Sequence, residues 1–361
     1  MFLSHHGGAS IAWLAGIELS AITFAAMAFK DQIRKAVVGK LLDGSFHGAS
    51  ELGRGVARVR GELRGVERLR NIPYLETGSS DHLLDVYRSE SNVGMRPVVL
   101  YIHGGGFRIL SKDTHWVFGN RFAKRGYVVF SINYRLAPKH PFPAAVEDAC
   151  AAWQWVVANA ARFGGDPNRI ILAGESAGGN LVTGLTWACS TRREEHYASG
   201  VFDTGVSPIA TIPYCGLLQA SDIGRFWRRR DDIPPVIVDR MQAVSGGYLG
   251  AMADEVGANP FADPLLFFEG DEKTEREIPP FFMSVGTADP VLDDTRRMSA
   301  ALARRNVQCE TLYSPGELHA YQALGWRPES KLSWRRTFQF LDDVQATPEA
   351  VEPEAVEDDT I

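Results

Sequence analysis

From residue 83 onward, short apolar runs alternate with stretches whose apolar positions recur every three or four residues. Leu83 to Tyr87, Pro97 to Ile102, Tyr127 to Ile132, Arg169 to Ala173, Phe281 to Val285 and Glu310 to Tyr313 are bounded by turn formers and read as strands. The run Val98-Val99-Leu100-Tyr101-Ile102 is apolar on both faces, as a strand covered on both sides must be. Pro143 to Arg162, Ala177 to Ser190, Asp293 to Arg305 and Leu332 to Val344 read as helices, the first opened by proline. Strand and helix in alternation predict an α/β fold with a mostly parallel central sheet flanked by helices.

Three regions depart from this rhythm. Leu52, Val56, Val59, Leu63, Val66 and Leu69 are spaced for one face of a helix, predicting an amphipathic helix over 51–70, although Gly53, Gly55, Gly61 and Gly65 weaken it. Its six arginines leave a membrane-surface role as the alternative to packing on the parent domain. Residues 216–275 lose the alternation and read as an insertion of helices and loops, a candidate lid. Residues 346–361 are acidic, contain proline, and predict a disordered tail. The expected division is thus 1–75 as N-terminal helices joining a cap or a membrane, 76–345 as the catalytic domain with its insertion, and 346–361 as the tail.

Residues 9–29 are nearly all apolar over about the length that spans a bilayer. Glu18 interrupts the run and no Lys or Arg precedes it, so a helix lying on the protein or a lipid surface is the leading reading. A membrane anchor flanked by Lys30, Arg34 and Lys35, and a signal peptide, are the alternatives. Of 44 acidic residues, six fall in 346–361, where there is no Lys or Arg, and the remaining 38 equal the 38 basic residues. The body is therefore electrically balanced, which argues against a nucleic-acid partner. Cys150, Cys189, Cys215 and Cys309 form no C-x-x-C pair, so reduced thiols and a cytoplasmic setting are expected, with membrane association the alternative. No His, Cys or Glu group has metal-ligand spacing.

The chemistry concentrates in two motifs. Gly174-Glu175-Ser176-Ala177-Gly178 fits G-x-S-x-G and lies between an expected buried strand and an expected helix, the context that makes its serine a nucleophile. The second, His103-Gly104-Gly105-Gly106-Phe107, follows the apolar strand ending at Ile102. Three consecutive glycines contribute no packing, but they let backbone N–H groups approach a ligand oxygen. With the N–H of Ala177 they would form an oxyanion hole. A phosphate cradle would need a Lys-Ser/Thr ending that is missing here.

In such a sheet the catalytic acid and then the histidine follow the serine along the chain. Only His196 and His319 follow Ser176. His196 stands in a charged segment and reads as a surface residue, whereas His319 stands in a turn after the last strand and is the expected base. Asp289, just beyond the strand ending at Val285, is the expected acid, its alternative role being an Asx turn ahead of Pro290. Asp293 and Asp294 read as helix caps, and Glu317 is too close in sequence to reach round to His319.

Four blocks in this order resemble the hormone-sensitive-lipase-like, bacterial family IV branch of the α/β-hydrolases, related to arylacetamide deacetylases. They are His103 to Phe107, Tyr134-Arg135-Leu136-Ala137-Pro138 through Phe142-Pro143-Ala144-Ala145 to Asp148, Gly174 to Asn180, and Asp289-Pro290-Val291-Leu292-Asp293. The resemblance covers about 97–325 and implies an α/β-hydrolase fold with a helical cap. It implies Ser176 as nucleophile, His319 as base, Asp289 as its orienter, Gly105, Gly106 and Ala177 as oxyanion donors, and His103 as the residue shaping the glycine loop. Glu175 stands where the family often has Asp, which would change the bonds supporting the nucleophile turn, and Lys139 where it often has Glu.

The activity so implied is a serine carboxylesterase acting on small-molecule esters without metal or organic cofactor, as a chain that would also be compatible with a homo-oligomer. A lipase, an amide hydrolase or deacetylase, and a non-catalytic receptor-like binder are the alternatives.

Overall fold

The computed structural model of the chain describes residues 44–45, 48–91, 93–228 and 233–346. It divides into two compact units, Met1–Leu52 and Gly53–Ile361. The described residues of the first unit are helical, and helix α1 covers 48–59. The residues expected to form the apolar helix over 9–29, and the tail beyond 346, lie outside the described residues. Among the described residues no helix is long and apolar enough to cross a membrane.

The helix expected over 51–70 is only partly present. Gly61 and Gly65 take φ values of 72° and 77°, and the chain turns there into strand β1 (Val66–Pro73), which pairs antiparallel with β2 (Leu83–Ser89). Left-handed backbone ends a helix, and glycine adopts it without penalty.

The rest of the second unit alternates as expected: β3 (Arg96–Ile102), α2 (Trp116–Lys124), β4 (Val128–Ile132), α3 (Ala144–Asn159), β5 (Gly165–Glu175), α4 (Ala177–Ser190) and a short α5 (Ser199–Asp203). A strand that the apolar pattern did not single out, β6 (Ala210–Tyr214), comes next, followed by α6 (Pro235–Leu249), α7 (Pro264–Glu269), β7 (Phe281–Gly286), α8 (Leu292–Arg304), β8 (Cys309–Ser314) and α9 (Pro328–Ala346). Between β6 and β7 the described residues hold helices, 3-10 turns and loops.

The eight strands lie in the order β1-β2-β4-β3-β5-β6-β7-β8, antiparallel at β1 and β2 and parallel from β4 through β8. Val98 to Ile102 and Ile170 to Ala173 are fully buried, so both faces of the central strands are covered. After β3 the chain builds β4 on one side and then crosses to build β5 on the other. Such a reversal opens a crevice at the carboxyl ends of the strands. The register pairs Ile102 with Gly174, so the glycine loop leaving β3 and the turn leaving β5 emerge side by side. Helix α6 packs on this edge. Arg108 Nη1 donates to the Ala243 carbonyl at 2.7 Å, Phe142 N donates to the Tyr248 carbonyl at 2.9 Å, and the Phe107 ring stacks on Tyr248 at 3.8 Å.

Candidate active site

Strand β5 ends at Glu175, and Ser176 follows at φ 55°, ψ −116°, a region a residue with a side chain rarely occupies. Its surroundings over-determine that backbone. Ser176 N donates to the Tyr214 carbonyl at 3.0 Å, and its carbonyl accepts from Asn180 N at 3.1 Å and Leu217 N at 3.2 Å. The flanking glycines are required by close passage of other backbone: a Cβ on Gly174 would meet the Gly178 carbonyl oxygen at 2.5 Å, and one on Gly178 would collide with the Ile102 carbonyl oxygen. Ser176 thus caps the amino terminus of α4, where the helix dipole favours developing negative charge.

His319 lies in the loop after β8 and Asp289 in the loop after β7. Imidazole Nδ1 lies 2.9 Å from Oδ2 and 3.0 Å from Oδ1 of Asp289. A carboxylate only accepts, so Nδ1 carries the hydrogen, and in the neutral imidazole the lone pair of Nε2 faces Ser176 Oγ at 2.8 Å. Asp289 is fully buried and its Oδ1 also accepts from Val291 N at 2.9 Å, which fixes the carboxylate plane. Desolvation by itself would lower the His319 pKa, but the adjoining Asp289 charge and hydrogen bond outweigh it and push the imidazole up to about 9, with Glu175 adding to the rise.

Gly104, Gly105 and Gly106 are each required for a separate reason. A Cβ on Gly104 would collide with the Glu175 carboxylate, one on Gly105 with the Ile109 carbonyl oxygen, and one on Gly106 would meet Val244 Cγ2 of α6 at 2.5 Å. Gly105 and Gly106 have φ values of 113° and 61°. His103 Nδ1 bonds the Gly104 carbonyl at 2.7 Å and its ring stacks on Tyr134 at 4.4 Å, while the Tyr134 hydroxyl donates to the His103 carbonyl at 3.0 Å. His103 is therefore spent on the shape of the loop.

Ser176, His319 and Asp289 come together as one hydrogen-bonded chain, with the glycine loop and Ala177 at the same sheet edge. The other candidates stand apart. His196 is exposed, 3.7 Å from Glu147; Asp293 pairs with Arg296 at the surface; and Glu317 pairs with Arg327. Asp294, expected as a cap of α8, instead turns into the core. There it binds Arg225 and accepts from Leu218 N at 2.9 Å and Gln219 N at 3.2 Å, because that loop brings two unsatisfied amides and a guanidinium.

Three features escaped the sequence. Val244 and Tyr248 reach the site from the insertion, and His115 Nε2 lies 2.9 Å from Oε1 of Glu175 beneath the glycine loop. The unusual Glu175 pointed to a changed partner such as His115, and nothing in the sequence signalled Val244 or Tyr248. Cys215, one of four unpaired cysteines, completes the surroundings: its Sγ, a Glu175 oxygen and a ring nitrogen of His319 lie within 4.8 Å of one another.

A model of the alpha/beta hydrolase fold family matches residues 99–323. Esterase LipI of Mycobacterium tuberculosis is 33% identical over 228 residues, which are 62% of this chain and 65% of that protein. Carboxylesterase NlhH of the same organism is 31% identical over 228 residues, 62% of this chain and 66% of that protein. The chain thus spans just under two thirds of the length of both relatives. An esterase structure from Pyrobaculum calidifontis superposes with a TM-score of 0.65 at 25% identity, covering 86% of this chain and 94% of the other.

Proposed function

We propose an activity from one premise: the chain belongs to the alpha/beta hydrolase fold family. It is a carboxylic ester hydrolase, a serine carboxylesterase acting on small-molecule esters. The observation that carries this reading is the unbroken chain from Ser176 Oγ through His319 to Asp289, set beside a loop of three glycines. The esterase and carboxylesterase names of its relatives support it.

In the first half-reaction His319 Nε2 takes the proton of Ser176 as Oγ attacks the ester carbonyl carbon. The carbonyl oxygen becomes an oxyanion facing the N–H groups of Gly105, Gly106 and Ala177, each worth about 3 to 4 kcal/mol there. Collapse breaks the bond to the alkoxide, which leaves as an alcohol with the proton from His319. Water then attacks the acyl-enzyme, gives its proton to His319, and releases the acid as Ser176 recovers its hydrogen. Asp289 holds the Nδ1–H tautomer throughout and stabilises the imidazolium.

A receptor-like binder would need no base within reach of the serine, and the 2.8 Å contact of His319 favours the enzyme. Acyl length is tested with nitrophenyl esters from acetate to palmitate. Short chains should turn over fastest, since Val244 and the Phe107–Tyr248 stack crowd the glycine loop; activity confined to long, insoluble esters would make it a lipase. The unpaired cysteines suit a reducing cytoplasm. Contact of residues 9–29 with lipid, the alternative to a cytoplasmic setting, is tested by fractionation: a full chain that sediments with membranes beside a chain starting at residue 31 that does not would establish it, and both chains in the soluble fraction would exclude it.

A further inference from the structure

We propose that Glu175, held by His115, is a positioning residue for this reaction, seating the glycine loop on the nucleophile turn and placing a second negative charge beside His319. The proposal rests on the esterase reading.

The carboxylate of Glu175 lies between the nucleophile turn, the glycine loop and His319. It is bonded through the chain to Ser176, its Oε1 fills the space that a Cβ on Gly104 would need, and it lies within 4.8 Å of a His319 ring nitrogen. It is buried, so its charge is poorly screened. Its partner is fixed from both sides. His115 Nδ1 lies 3.2 Å from the Ser111 carbonyl and 2.9 Å from Thr114 Oγ1, and that hydroxyl is already spent donating to Ser111 O at 2.7 Å. Nδ1 must therefore donate, and Nε2 faces Glu175 Oε1 at 2.9 Å.

Burial would raise the Glu175 carboxyl, but the His115 hydrogen bond and the charges of His115, His319 and His103 outweigh it and hold the group below the usual range. The remaining titratable neighbours contribute no competing charge. The Tyr101 and Tyr134 phenols on the strand side and the Cys215 thiol after β6 are all pushed up by burial, which keeps them neutral. The imidazolium formed at His319 therefore meets two anions, Asp289 on Nδ1 and Glu175 behind the nucleophile turn.

The test is the pH dependence of kcat/KM of the full chain on nitrophenyl acetate, compared with Glu175→Gln, Glu175→Asp and His115→Gln, folding being checked by thermal unfolding. Removing a buried charge this close should move the acid limb of Glu175→Gln down by about one pH unit and lower kcat about 10-fold with KM nearly unchanged. Glu175→Asp should keep the limb in place. His115→Gln should lower kcat with KM nearly unchanged, because Glu175 loses the hydrogen bond that holds it. A folded Glu175→Gln with an unmoved limb overturns the proposal. Should that variant not fold, a folded His115→Gln with wild-type kcat overturns it. Failure of the esterase reading is separate, seen as hydrolysis unaffected by Ser176→Ala. In that case NMR titration of the His319 imidazole, identified against His319→Gln, still reads the shift caused by Glu175→Gln.

Discussion

At the scale of single residues the decisive feature is the raised imidazole of His319. The base works only when Nε2 is unprotonated, so a pKa raised from 6.5 to about 9 means activity is gained as pH rises through the alkaline range and lost as it falls. The kcat/KM profile should therefore show an acid limb well above pH 6.5, and a limb at or below 6.5 would contradict the electrostatics. Asp289→Asn removes the charge that raises the pKa and permits the wrong tautomer. It should move the limb toward acid and lower kcat by about 10⁴-fold, measured on a short nitrophenyl ester. In the sequence, the order of nucleophile, acid and base singled out one histidine in a loop and one aspartate at a strand end, and the structure brings these two together. Asp294 was not: its partner Arg225 lies 69 positions away, and no local pattern encodes such a contact.

Among elements, the turn from β5 to α4 carries the tightest constraint. Gly178 lies against the backbone of Ile102 and His103, and a carbonyl at the end of a central strand cannot give way as a flexible side chain would. Gly178→Ala should cost about 2 kcal/mol or more in stability, read by denaturant unfolding, and should lower kcat along with it. The loop following β6 has a different anchor. Arg225→Ala would strand the fully buried Asp294 without its cation and should cost about 3 to 5 kcal/mol, again by unfolding. Two elements were hidden in the sequence for opposite reasons. The apolar spacing from Leu52 to Leu69 runs unbroken through Gly61 and Gly65, whose left-handed backbone converts its second half into β1. Strand β6 is five residues long with Pro213 inside it, and proline argues against a strand in the middle of a sheet.

Across the whole molecule, the sheet order explains why residues from 103 to 319 act at one place. The reversal between β4 and β5 sets the carboxyl ends of β3 and β5 side by side, while β7 and β8 deliver Asp289 and His319 at the same edge. Alternation of strands and helices made that architecture readable, since two-sided burial gives uninterrupted apolar runs such as Val98 to Ile102. The break in that rhythm after β6 was visible in the sequence, but the seating of Val244 on Gly106 was not, because helical periodicity does not say which loop a helix will cover. The central claim is that Ser176 forms a covalent acyl-enzyme. Intact-mass measurement of the full chain treated with a fluorophosphonate tests it most directly. The expected result is one adduct per chain, loss of nitrophenyl acetate hydrolysis in proportion to labelling, and neither adduct nor hydrolysis in Ser176→Ala. An unlabelled wild-type chain, or a Ser176→Ala variant that still labels and hydrolyses, would contradict it.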